Sequence, residues 1–398
     1  MSAASAPLNE AAVADAVISA ATAREPLLIR GNDTKAGMLR PVQATRVLST
    51  SGLSGVTLYS PSELIISVRA GTPLPEIEAL LAKAGQHLIA EPPDLSALLG
   101  STEHPQTIGG IVATNLSGPR RVAWGATRDH VMGIRAVSGR GEVIHSGGRV
   151  LKNVTGLDLC KLFTGSHGTL GVITEVTLKV LPAPESSGTL VVPLSDARAG
   201  VAALSAALGS PYGVSGAAWL PAEAAERAGL AGAVALVRIE DFASSVVYRT
   251  EKLRGELGFP GIEILDHAAS RRAWAAVRDA AVLVAARTDA IWRVSVRPSA
   301  GPDVLAAANF AGLNGFLDWG GGLVWLAGPA DTESHGVIEA AARAAGGTWT
   351  LLRAPDSLRG AVDVVPPEVA ALAVITRRMK AALDPHGILN PGRIYAGL

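Results

Sequence analysis

Two stretches of this sequence set glycine among small polar residues: Arg30-Gly31-Asn32-Asp33-Thr34-Lys35, directly after an apolar run, and Thr107-Ile108-Gly109-Gly110. Backbone N–H groups in such turns reach an anion at close range because no bulky side chain intervenes, which is what the pyrophosphate of a dinucleotide requires. Alone, Gly-Asn-Asp is ordinary turn chemistry. The ordered series that follows adds weight: Asn115-Leu116-Ser117-Gly118, Gly125-Ala126-Thr127-Arg128-Asp129, Lys152-Asn153-Val154-Thr155-Gly156-Leu157-Asp158 and Gly165-Ser166-His167-Gly168-Thr169-Leu170-Gly171-Val172-Ile173. Neither G-x-G-x-x-G after a strand nor G-x-x-x-x-G-K-[ST] occurs, which disfavours a nicotinamide-binding Rossmann domain and a P-loop.

Other residue types narrow the chemistry. The eight histidines (His87, His104, His130, His145, His167, His267, His335 and His386) are widely spaced, none in a close pair, so no metal site is expected. Cys160 stands alone and has no internal disulfide partner, as is ordinary in a reducing, cytoplasmic compartment. Formal charge is +0, from 35 basic and 35 acidic residues, so no net field draws the chain to nucleic acid. No segment approaches the roughly 18 uninterrupted apolar residues of a membrane span, so membrane association would come through partner subunits.

The elements that must position these residues follow from periodicity. Residues 8–23 read as a helix with one apolar face, 27–30 as a strand running into the first glycine turn, and 63–68 as a strand leading to a helix capped by Thr72. Residues 91–126 are Pro-, Gly-, Ser- and Thr-rich with little period, too long for a plain connector and therefore a functional loop system. Residues 131–138, 143–146 and 170–180 alternate as antiparallel strands do, and Leu181-Pro182-Ala183-Pro184 stops the last of them. Beyond it, helices at 197–208 and 244–257 alternate with strands at 233–239 and 291–296, and a helix at 369–383 leads to a turn-rich tail. The fold class expected is α+β in two lobes: residues 1–182, 183–368 as a second cap or substrate lobe, and 369–398 as a closing helix and tail.

The motif series closely resembles the E-subunit family of bacterial glycolate oxidases, within the vanillyl-alcohol-oxidase and para-cresol-methylhydroxylase superfamily. The resemblance runs along the chain and is densest from Glu91 to Pro184, where Glu-Pro-Pro, Thr-Ile-Gly-Gly, Gly-Pro-Arg-Arg, Lys-Asn-Val-Thr-Gly-Leu-Asp and Gly-Thr-Leu-Gly-Val-Ile-Thr-Glu occur in family order. It implies a non-covalently held FAD, bound in a first lobe of the FAD-binding PCMH type. Arg30, Gly31, Asn32, Asp33 and Thr34 would hold the pyrophosphate, with Thr107, Ile108, Gly109, Gly110, Ala113, Thr114 and Asn115 along it. Gly165, Ser166, Gly168, Thr169, Gly171, Val172 and Ile173 would line adenosine and flavin, Pro92 and Gly118 complete the set, and the tail would return with Asn390 and Arg393 near the cofactor. The first loop departs from the commoner three-glycine form, a departure that bears on FAD affinity. His104 and His167, the histidines available for covalent attachment, both lie outside that loop.

For function the resemblance implies one component of a glycolate oxidase complex, contributing to oxidation of glycolate to glyoxylate through flavin electron transfer. Its implied partners are the D-type catalytic flavin chain and the F-type iron–sulfur chain of that complex. The His-x-His and Glu-His ligands of related 2-hydroxy-acid dehydrogenases are missing. Arg120, Arg121, Arg128 and Lys152 stand among the flavin-facing loops, where a cation holds a carboxylate or steadies reduced flavin, or else makes a salt bridge. Arg293 and Arg297 are further carboxylate holders or outward strand residues, and Asp318-Trp319-Gly320-Gly321-Gly322 with Trp325 is a pocket mouth or a packing corner. Two alternatives stay open: a self-sufficient dehydrogenase or oxidase of another small 2-hydroxy acid or alcohol, using Arg293 or Arg120, and a scaffold without redox function.

Overall fold

The computed structural model describes residues 5–101, 103–148 and 157–398; the Lys152-Asn153-Val154-Thr155-Gly156 part of the motif series lies outside these. A first helix, Glu10–Ala23, is capped by Asn9, whose Oδ1 accepts from Ala12 N at 2.9 Å, and it buries Val13, Val17 and Ala20. Beneath it β1 (Leu27–Arg30) and β2 (Arg46–Ser49) form a parallel pair.

A larger antiparallel sheet follows: β3 (Val56–Ser60), β4 (Ile65–Arg69), β5 (Gln86–Leu88), β6 (Val131–Val137), β7 (Val143–Gly147) and β8 (Val172–Pro182), in the order β3-β4-β8-β6-β7 with β5 also on β8. Alternation fixes which side chains face inward: Ile66, Val68, Ile134, Ala136, Val176, Leu178 and Val180 are buried together with Ile77 and Leu81 of the Leu74–Lys83 helix. That helix starts one residue later than Thr72 capping predicts. Pro73 takes the cap position, because the Thr72 hydroxyl is spent on the carbonyls of Arg69 and Gly55. The 91–126 segment is not structureless: it holds three short helices, Ser96–Leu99, Ile108–Thr114 and Arg121–Trp124.

The chain leaves this sheet at Pro182 and enters the next at Ser186. The second sheet comprises β9 (Ser186–Pro193), β10 (Val214–Leu220), β11 (Val234–Asp241), β12 (Glu263–Leu265), β13 (Ala290–Ser295), β14 (Asn314–Asp318), β15 (Leu323–Gly328) and β16 (Thr348–Arg353), antiparallel throughout in the order β12-β9-β11-β10-β14-β15-β13-β16. Its core holds the largest fully buried side chains of the molecule, Trp274, Trp292 and Trp349, so this lobe relies on indole bulk and not on small aliphatics alone.

The Ala370–Leu383 helix carries the chain back to the first lobe, where Leu389 bridges to Leu27 in parallel: Leu27 N donates to Ile388 O at 2.7 Å and Asn390 N to Leu27 O at 3.0 Å. Ile388 and Leu389 share a small core with Val13, Val17, Leu27 and Leu48. The buried Lys380 ammonium locks this return, donating to Asp384 Oδ2 (2.7 Å), Thr169 O (2.7 Å) and Leu389 O (3.0 Å), while Asp384 also accepts from Ile388 N (3.1 Å) and Leu389 N (2.8 Å).

Candidate functional site

Where β1 ends, the chain turns through Gly31 to Lys35, with Asp33 in the left-handed region at φ 59°. The amides of Asn32, Asp33, Thr34 and Lys35 donate to no acceptor among the described residues, and all four residues line one cavity, so their N–H groups remain available to an anion such as phosphate. Gly31 is required here by close approach: a Cβ would stand 2.5 Å from Thr107 Oγ1, at the start of the second glycine segment. The two loops therefore face one another. A third segment closes on them from Gly165 onward, pinned by Gly165 N to Val112 O (3.0 Å) and His167 N to Ala113 O (2.8 Å).

Together these segments wall a cavity of about 290 Å³. Of the residues picked out in the sequence, Arg30, Gly31, Asn32, Asp33, Thr34, Thr107, Gly109, Gly110, Ala113, Thr114, Gly168, Gly171, Ile173, Asn390 and Arg393 line it. The others stand behind the wall. Ile108 and Val172 are core residues, Asn115 caps its helix and accepts from Arg128 N (3.0 Å), and Thr169 offers its carbonyl to Lys380. Gly165 and Ser166 form the turn entering the third segment, and the buried Ser166 hydroxyl has no partner among the described residues. Gly118 packs too closely on the Glu91 carbonyl for any side chain, and Pro92 borders a different cleft.

Asn390 reaches the cavity as a brace: its Oδ1 accepts from Ile29 N at 2.8 Å and its Nδ2 donates to His167 O at 2.8 Å, tying β1 to the third segment. His167 also lines the cavity, and burial followed by the nearby Arg393 charge drops its imidazole to about 3, so it is neutral. His104 lies outside the cavity wall. Lys35 and Arg359 line the cavity as well, though neither stood out as a site residue in the sequence. The outgoing limb of the first loop, residues 35–40, is held by guanidinium–carbonyl bonds: Arg393 to Lys35 O (3.0 Å), Arg359 to Leu39 O (2.9 Å) and Arg40 to Gly360 O (2.7 Å).

The chemistry of this wall fits FAD: unspent amides and buried cations where a pyrophosphate belongs, beside small and apolar residues such as Gly110, Ala113, Gly171 and Ile173. Among the described residues no group of three or more His, Cys, Asp or Glu side chains is placed to hold a metal.

Arg120 departs from the substrate-holding role. Its guanidinium is committed to Glu240 (2.7 and 2.9 Å), and Arg238 is paired in turn with Glu91 (2.8 and 2.9 Å), so four buried charges join the two lobes. Burial alone would raise the Glu240 carboxyl, but Arg238 and Arg120 hold it down at about 2. This network floors a cleft of about 510 Å³ between the lobes. Burial, reinforced by the Arg120 charge, lowers His87 in the same cleft to about 4.

Arg121 and Arg293 differ: neither has a carboxylate within salt-bridge distance among the described residues. Arg121 stands 4.6 Å from the centre of the Trp319 ring, and Arg293 lies 5.4 Å from Trp319 and 4.9 Å from Trp325. The buried Nε of Arg293 has no hydrogen-bond partner among the described residues, and burial, then the nearby Arg121 charge, lowers the guanidinium to about 10. Asp318 next to this stack is raised to about 7, chiefly by burial. Trp319 Nε1 donates to Gly118 O (3.1 Å), joining the stack to the first lobe, while Arg297 is exposed.

The family model described as "FAD binding domain" matches residues 1–147. Among solved structures, 4-ethylphenol oxidase from Gulosibacter chungangensis superposes with a TM-score of 0.70 at 14% identity, over 98% of this chain and 88% of that one. An alkyldihydroxyacetonephosphate synthase gives 0.66 at 18% identity, over 97% and 75%. The fold and the cavity define an FAD-binding protein of the PCMH-type class. Glycolate oxidase subunit GlcE of Escherichia coli K12 is 35% identical over 390 residues, 97% of each chain, and this chain belongs to its family. Glycolate oxidase subunit GlcD of Bacillus subtilis is 35% identical over 170 residues, covering 42% of this chain and 34% of the relative.

Proposed function

We propose that this chain is the FAD-bearing E-type subunit of a glycolate oxidase, contributing to oxidation of glycolate to glyoxylate alongside a D-type catalytic flavin chain and an F-type iron–sulfur chain. The observation that carries the reading is the cavity on which both glycine loops, the third segment and the returning tail converge. When bound, FAD supplies a carrier for the electrons removed from the hydroxy acid. The chain's own residues bind and orient it: the loop amides of residues 32–35 receive the pyrophosphate, and Asn390 fixes the spacing of β1 and His167.

A sequence without the metal-ligand histidines favours electron transfer or assembly over primary oxidation at this FAD. The purified chain should absorb between roughly 370 and 450 nm after incubation with FAD. In stopped flow, glycolate should bleach that absorbance slowly when the chain is alone and rapidly when both partner chains are present. Rapid bleaching of the isolated chain would overturn the auxiliary role.

That result is what the second reading predicts. Its support is the stack of Arg121 and Arg293 on Trp319, where two guanidinium groups without carboxylate partners among the described residues suit the carboxylate of a small hydroxy acid, with Asp318 beside them to take a proton.

A further inference from the structure

We infer that Lys35 is a charge-bearing residue of the cofactor cradle, its ammonium spanning the two glycine loops and helping to neutralise the pyrophosphate that the loop amides receive. The inference rests on the FAD reading above. Lys35 Nζ donates to Gln106 Oε1 at 2.8 Å and reaches Thr34 Oγ1 at 3.4 Å, so it sits between the residue preceding Thr107 and the first loop itself. Lys35 lines the cavity and has no carboxylate within salt-bridge distance among the described residues.

A buried ammonium without a counter-ion is costly, and an anionic ligand removes that cost. The charges around it are arranged accordingly. On its own loop Asp33 is tied to Arg30, which keeps that carboxylate from opposing the phosphates. Asp94, from the loop after β5, acts on Lys35 at longer range and is itself engaged by Ser96 N (3.0 Å) and Ser96 Oγ (2.6 Å). Arg393 of the tail donates to Lys35 O, Arg359 pairs with Asp356, and His167 on the facing segment is neutral.

Lys35 also explains how a loop with Asn32 and Asp33 in place of further glycines serves as a phosphate cradle: a point charge adds to what the amides alone supply. Burial, only partly offset by Asp94, lowers its pKa to about 8. Bound pyrophosphate raises it again, because an opposite charge favours the protonated form. FAD affinity is therefore constant below pH 8 and falls as pH rises through 8 towards the pKa of the complex.

The test is FAD titration of the full-length chain followed by flavin fluorescence, between about pH 6.5 and 9.5 so that the lysine's titration is spanned. The wild type should weaken about tenfold from pH 7 to pH 9.5, corresponding to a one-unit upward shift on binding. Lys35→Gln should bind about tenfold or more weakly at pH 7, with a flat profile, while Lys35→Arg should bind tightly and stay flat to about pH 9.5, since a guanidinium keeps its proton throughout. A flat wild-type profile, or Lys35→Gln matching the wild type at neutral pH, overturns the inference while leaving the FAD reading intact. Should Lys35→Gln not fold, the arginine variant decides alone: an alkaline decline equal to the wild type's overturns the role of Lys35. If the folded wild type takes up no FAD at any pH, both readings fall.

Discussion

Arg120 and Arg293 look alike in the sequence, each a guanidinium near a glycine-rich turn or on a strand, and the structure gives them opposite circumstances. Arg120 is spent on Glu240, a partner 120 positions away that no local pattern announces. Arg293 is stacked between two indole rings, its Nε without a partner among the described residues. On the second reading, Arg293→Ala leaves the FAD spectrum unchanged and slows reduction of the isolated chain by subsaturating hydroxy acid at least about tenfold, the loss of one charge-assisted contact. Stopped-flow rates equal to the wild type's would remove Arg293 from substrate binding. The loop residues were legible because glycine beside small polar residues is a local signal. Lys35 stood within the quoted loop, but its importance depends on Gln106, in contact only after folding.

Among the elements, strands and helices of strong period stand close to where the pattern puts them, as with Ala197–Leu208 and Leu27–Arg30. The short helices inside 91–126 were hidden because four to seven residues carry too little period to register. The tail is harder still: its return was legible only by resemblance, since the Leu389–Leu27 bridge spans nearly the whole chain. Its lock gives a prediction. Asp384→Ala leaves the Lys380 ammonium buried without its carboxylate, a change that costs about 3–5 kcal/mol when a buried pair is broken. The tail should become a site of limited proteolysis and FAD should bind more weakly, while circular dichroism from the tryptophan-rich lobe stays native. An uncut tail and unaltered FAD affinity would show that the lock is dispensable.

For the molecule as a whole, the two lobes are joined by buried charge as well as by chain connectivity. Glu240, at about 2 against an ordinary 4.5, and Glu91, also held low by Arg238 and Arg120 despite burial, bind protons more weakly folded than unfolded. Their contribution is complete above about pH 4.5 and is lost as pH falls towards 2. Thermal midpoints measured from neutral pH downward should drop below pH 4.5. Arg238→Met, which leaves Glu91 and Glu240 to share Arg120 alone, should lower stability at neutral pH by about 3–5 kcal/mol. A midpoint indifferent to acid in the wild type would contradict this account.

The returning tail also orders events in time. Ribosomal synthesis makes both glycine loops before the second sheet, and the Asn390 brace and the Arg393 contact after it. A polypeptide truncated after the second sheet lacks Arg359, Asn390 and Arg393 from the cavity wall and should bind FAD more weakly than the full-length chain.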